Sequence, residues 1–138
     1  MLDYDEFESK IETAHIVGFV RTDDIVHVHI KDNVVITKDV LYEMHDSLWK
    51  LTEEPRQFVF QAGSNVIFTH HARKHTKVVE ETYPVISTAI IVDGLRQRFI
   101  ANLYFKLARP KRPSKSFTSL NDCLAWSKEI KSILNKQG

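Results

Sequence analysis

Seven histidines stand among the 138 residues, and three of them, His70, His71 and His75, fall in one short stretch. His71 and His75 are one helical turn apart, a spacing at which two imidazoles can converge on one ion. With His70 beside them, a metal-dependent hydrolase built on His70, His71 and His75 is one reading of the chain. Chemistry that would complete such a centre is missing locally, since no acid lies between Val66 and Val79 to serve as third ligand or general base. His27 and His29 share a strand face, but nothing nearby in the chain brings them to His71. The plainer reading is a solvated helix start whose dipole disfavours the imidazolium form.

The nucleophile candidates are equally bare. Cys123, the single cysteine, falls in the first turn of the last expected helix, where a dipole lowers a thiol's pKa. Leu120, Cys123 and Leu124 nevertheless form one apolar face, which makes Cys123 a buried structural residue. Ser64, in Ala62-Gly63-Ser64-Asn65, lacks the second glycine of a nucleophile elbow. Glycine-rich phosphate loops are absent, and the carboxylate pairs Asp23-Asp24, Glu53-Glu54 and Glu80-Glu81 fall at turns or helix ends. No catalytic constellation and no cofactor motif emerges, so the sequence is read as a non-enzyme.

Charge is more informative than catalysis. Between Gly94 and Asn121 stand Arg96, Arg98, Lys106, Arg109, Lys111, Arg112 and Lys115 without a single acid. The segment carries +7, so the formal net charge of +1 conceals −6 elsewhere. This stripe suits a polyanion or a membrane surface, or is simply a solvated face beside a proline-stiffened loop. Phe99, Tyr104 and Phe105 are interleaved with it at core spacing, which argues against specific nucleic-acid recognition.

The elements that must position these residues read as alternating strands and helices. Ile16–Val20 and Ile25–Ile30 form a hairpin about Thr22-Asp23-Asp24, and Val34-Val35-Ile36 extends the sheet. Thr37 caps a helix with Val40, Met44, Leu48 and Leu51 on one face. Phe58-Val59-Phe60 is the next strand. Thr69 caps a second helix carrying Ala72, Thr76, Val79 and Tyr83. Val85–Val92 is a central strand, Leu95, Phe99, Ile100, Leu103, Tyr104 and Leu107 mark a third helix, Ser116-Phe117-Thr118 an edge strand, and Ser119-x-x-Asp122 opens a fourth helix to about Leu134. No internal repeat of fixed period stands out.

Length and composition permit one domain, with residues 1–12 an acidic arm and 13–138 the domain. The arm is either a short helix with Leu2, Tyr4, Phe7 and Ile11 on one edge or a frayed end. One cysteine excludes a disulfide framework, no apolar run approaches the ~20 residues of a membrane span, and the acidic start is unlike a signal peptide. A cytoplasmic location is the expectation.

Arg98-Phe99-Ile100-Ala101-Asn102-Leu103-Tyr104-Phe105, then Arg109-Pro110, Pro113, Ser116-Phe117-Thr118 and Ala125-Trp126, with Ile36-Thr37 and Ala72-Arg73 upstream, resemble the SpoIIAA-like (STAS/SEC14-like) family of uncharacterised bacterial proteins. The resemblance spans about residues 25 to 130. It implies an α/β, STAS-like mixed sheet with an N-terminal hairpin and about four helices packed on it. It further implies a small cytoplasmic, non-enzymatic regulatory or ligand-binding module, often a homodimer. Anti-anti-sigma factors of this fold carry an Asp-Ser pair at the opening of the second helix; here that stretch is Phe68-Thr69-His70-His71-Ala72-Arg73, where Thr69 is the only hydroxyl and reads as a cap. Because helices two and three both follow parallel strands, their N-termini should open at one sheet edge. Thr69, His70, His71, Arg73, Arg98 and Asn102 are therefore the expected ligand-binding residues, suited to an anionic small molecule or an acidic protein.

Overall fold

The computed structural model describes residues 9–82, 85–95, 97–98, 101–102 and 112–137. Among the described residues there are eight strands: β1 (Lys10–Glu12), β2 (Ile16–Val20), β3 (Val26–Ile30), β4 (Val35–Ile36), β5 (Arg56–Ala62), β6 (Ile67–Phe68), β7 (Val85–Ile91) and β8 (Ser114–Phe117). Three helices with defined bounds accompany them among the described residues: α1 (Lys38–Leu51), α2 (His70–Thr82) and α3 (Leu120–Gln137). The main sheet has the order β1-β2-β3-β5-β7-β8. Its first two pairings are antiparallel and the remaining three parallel. Its architecture is thus the mixed α/β fold that the alternation of elements predicts.

Period-two alternation divides the core between the sheet's faces. Ile16, Val26, Val28, Ile30 and Phe58 join Leu41, Met44 and Leu48 of α1 and Ala72 of α2 in the larger cluster. On the opposite face Ile25, Val59, Ala89 and Phe117 pack with Cys123 of α3. A register shift between Arg56 and Gln57 lets β7 serve both faces, with Val85 in the first cluster and Ala89 in the second. Gln57, on the α3 side, spends its amide on Ser87 Oγ and on the Ser127 carbonyl, which ties the two strands to the helix.

Several local expectations change. The segment 34–36 does not extend the main sheet: β4 pairs in parallel with β6 as a separate two-stranded sheet. Residues 10–12 at the end of the acidic segment form an edge strand, while residues 1–8 lie outside the described residues. The third expected helix is represented by helical residues at 95, 97–98 and 101–102; its other positions, including Phe99, Ile100, Leu103, Tyr104 and Leu107, lie outside the described residues. The last helix runs three residues beyond Leu134, and Ser119 caps it by accepting from the Asp122 N–H.

The register also exposes a repeat that the sequence conceals. Val26 pairs with Phe58, Val28 with Phe60, Val35 with Ile67 and Ile36 with Phe68, every pair being 32 residues apart, the same separation as between the hydrogen-bonded Asn33 and Asn65 side chains. Two successive strand–loop–strand–helix units therefore lie side by side. Their common signature is Asn33-Val34-Val35-Ile36-Thr37 against Asn65-Val66-Ile67-Phe68-Thr69. Both asparagines take the left-handed conformation, with φ of 63° and 57°, a geometry that asparagine tolerates better than most residues. The two loops are stitched together: Asn33 N–H donates to Ser64 O, Ser64 N–H to Asp32 Oδ1 and Gly63 N–H to Ile30 O.

Candidate functional site

This stitch places the N-termini of α1 and α2 next to each other. Thr37 Oγ1 accepts from Val40 N–H at 3.3 Å and Thr69 Oγ1 from Ala72 N–H at 3.1 Å, the same cap in each unit. The Thr69 N–H donates in turn to the carbonyl of Ile36, the residue immediately before the other cap. The helices start together and pack along each other. Their dipoles consequently add at one place.

Side chains sharpen the asymmetry between the ends. The first turn of α1 holds Lys38 and Asp39, whereas that of α2 has no acid and carries His70, His71 and Arg73, all exposed. His75 Nδ1, a turn further on, lies 3.2 Å from the Tyr42 hydroxyl across the helix pair, and its ring is edge-on to that of His71 at 5.2 Å between centroids. Desolvation, followed by the charges of Lys38 and His71, lowers the His75 pKa below the ordinary histidine range. Lys38 and Tyr42 were not among the residues singled out from the sequence. The signal that finds them is the repeated Asn-Val-x-x-Thr run, because it identifies Lys38 as the positional equivalent of His70.

The expected site residues separate into two groups. Thr69, His70, His71 and Arg73 sit together in the cap and first turn of α2. Arg98 and Asn102 are committed to edge strand β8: Arg98 Nε donates to Ser116 O at 3.2 Å, and Asn102 Oδ1 accepts from Ser116 N–H at 3.1 Å and Ser116 Oγ at 2.7 Å. Arg98 also lies over the Phe117 ring, as does Lys115, at 5.7 and 5.5 Å. These contacts satisfy the outward-facing backbone groups of Ser116, which an uncovered edge would leave open. Of the remaining basic stripe, Arg96, Lys106, Arg109 and Lys111 lie outside the described residues.

Two titratable groups elsewhere, Cys123 and His27, are buried. Cys123 is fully buried, and burial together with the adjacent Asp122 pushes its thiol up to about 12, leaving no thiolate for nucleophilic attack near neutrality. His27, 1% exposed, is held down to about 4 chiefly by burial. Its Nε2 meets Gln61 Oε1 at 3.2 Å, its ring lies 5.1 Å from that of Phe19, and its Nδ1 has no hydrogen-bond partner among the described residues. No group of three or more His, Cys, Asp or Glu side chains able to hold a metal occurs among the described residues. No described helix is long and apolar enough to cross a membrane.

The family model described as domain of unknown function DUF7793 matches residues 19–131, from the end of β2 through most of α3. The chain belongs to the DUF7793 family. Among solved structures, this DUF7793 chain is similar to an uncharacterised protein of the DUF3478 family with a SpoIIAA-like fold from Shewanella loihica PV-4, with a TM-score of 0.57 and 14% identity over 85% of this chain and 98% of that one. At that identity the likeness establishes the fold, which is SpoIIAA-like, as the resemblance in the sequence implies. No curated protein matches the chain.

Proposed function

We propose that this DUF7793 chain is a non-enzymatic, STAS-like ligand-binding module whose ligand is a small anion or an anionic group on a partner, bound where α1 and α2 begin. The carrying observation is the pairing of β4 with β6, which sets two threonine-capped helix starts side by side with Lys38, His70, His71 and Arg73 around them. Two dipoles of ~0.3–1 kcal/mol each, supplemented by cationic side chains, suit an oxyanion better than any other ligand class. Thr69 acts by capping, which holds the α2 N–H groups in place. Arg98 and Asn102, included by the sequence reading, bond Ser116 of β8 and are left out of this proposed site.

Calorimetric titration with inorganic phosphate and pyrophosphate tests the proposal. Binding should weaken as salt rises, and Lys38→Ala or Arg73→Ala should each reduce affinity by about fivefold, equivalent to ~1 kcal/mol. Affinity unchanged in both variants, or insensitive to ionic strength, would contradict the site.

A further inference from the structure

The small sheet of β4 and β6 has an inner and an outer face, and the outer one is not an ordinary solvated surface. Val34 and Ile36 point into the larger core and are buried. Period two therefore turns Asn33, Val35 and Thr37 outward, and in the second unit Asn65, Ile67 and Thr69. Val35 and Ile67 are register partners, 46% and 52% exposed. One exposed aliphatic residue is commonplace, but here both repeat units carry one at the same position, and the pairing sets the two side by side. Polar groups border the pair at both ends. On one side are the threonine caps; on the other, Asn65 Nδ2 donates to Asn33 Oδ1 at 3.1 Å, which leaves the Asn33 amide as donor and the Asn65 oxygen as acceptor.

We infer that this outer face docks an extended peptide segment of a partner protein, with an aliphatic residue two positions before an acidic or phosphorylated one. The inference rests on the anion reading above and names the partner that carries the anion. Spacing is the first argument. Side chains at i and i+2 of an extended chain share a face about 6.6 Å apart, and Thr37, still extended at φ −84° and ψ 174°, stands at that interval from Val35. A segment running along β4 and β6 thus sets its aliphatic residue on Val35 and Ile67 and its anionic residue at the helix starts. The amides of Asn33 and Asn65 meet its backbone behind the aliphatic residue.

Charge is the second argument. Lys38, Arg73 and the imidazoles of His70 and His71 stand at the helix starts against Asp39, while Asp32 is held by the Ser64 N–H. An acidic segment complements that balance. A bilayer surface is the poorer fit, because its attraction scales with inserted apolar area and this face offers only two aliphatic side chains.

Fluorescence anisotropy of the full chain with the labelled peptide Gly-Gly-Leu-Gly-pSer-Gly-Gly, run beside a titration with inorganic phosphate, tests the docking face. The leucine peptide should bind about tenfold tighter than its counterpart with glycine for leucine. Val35→Ser combined with Ile67→Ser should erase that advantage and leave the affinity for inorganic phosphate unchanged, which also shows the variant to be folded. Equal affinity for the two peptides, or an advantage that survives the double substitution, would overturn the docking face while phosphate binding left the anion site standing. Failure of phosphate and both peptides alike would remove the two readings together. Sedimentation of the chain with phosphatidylglycerol vesicles through Val35 and Ile67, without a preference between the peptides, would overturn the peptide and assign the face to a membrane.

Discussion

Acidification from pH 6.5 to 4 should remove about 3 kcal/mol of folding stability through His27 alone. The imidazole lies under Phe19 in the sheet, and no counter-charge is described beside it; Arg21 and His29 are the nearby groups that oppose a second positive charge. In the unfolded chain His27 takes up its proton below the ordinary value of 6.5, whereas in the fold it does so only near 4. Unfolding therefore binds a proton throughout that window. Stability from this group is complete above pH 6.5, falls as pH drops toward 4, and stays lost below it. His75 is lowered in the same direction and adds to the trend. Urea unfolding at a series of pH values measures it. A His27→Gln variant, whatever its absolute stability, should show a flatter profile between pH 6.5 and 4, and two parallel profiles would refute the assignment.

The second large effect is expected at Gly63. A Cβ there would lie 2.9 Å from both Asp32 N and Ile30 O and closer still to Asp32 Oδ1. Two of these neighbours are backbone atoms, and Asp32 Oδ1 is held at 2.7 Å by the Ser64 N–H. Relief requires the 31–33 and 63–65 loops to part, which breaks the stitch that aligns the two units. Gly63→Ala should thus cost about 2–3 kcal/mol, in the upper part of the overpacking range. Gly94 provides the contrast: its φ is 90° but nothing lies within 4 Å of a Cβ there, so Gly94→Ala should cost only the ~1–2 kcal/mol of left-handed strain. Urea midpoints for the two variants, at unchanged denaturant slope, decide the point. Equal losses would mean that the close approach at Gly63 is not a structural constraint.

Much of the scaffold is legible in the chain because it is locally encoded. The hairpin strands carry period-two patterns, and Thr37 and Thr69 each precede a helical stripe, so the caps can be read directly. What escapes is pairing. A two-residue strand such as β4 or β6 has no period to detect, and its neighbour is chosen by the loop geometry at Asn33 and Asn65. The 32-residue repeat escapes for a related reason. Only the Asn-Val-x-x-Thr run is shared, while the helices diverge from Lys38-Asp39 against His70-His71 onward.

Arg98 and Asn102 illustrate the converse. Their place at the start of an expected helix after a parallel strand suggests a ligand, and local sequence gives no hint that β8 would need a donor and an acceptor at Ser116. Edge satisfaction is a nonlocal demand, visible only once strand order is known. The repeat has the opposite virtue. It brings Lys38 and the α1 cap beside the α2 residues that the sequence reading joined to Arg98 and Asn102.

The most direct test of that enlarged site is an amide-resolved NMR titration of the full chain with inorganic phosphate. If two helix starts form one anion site, the amides of residues 38–41 and 70–73 shift together along one binding isotherm, while those around Ser116 stay still. Shifts confined to one helix start, or centred on β8, would contradict it.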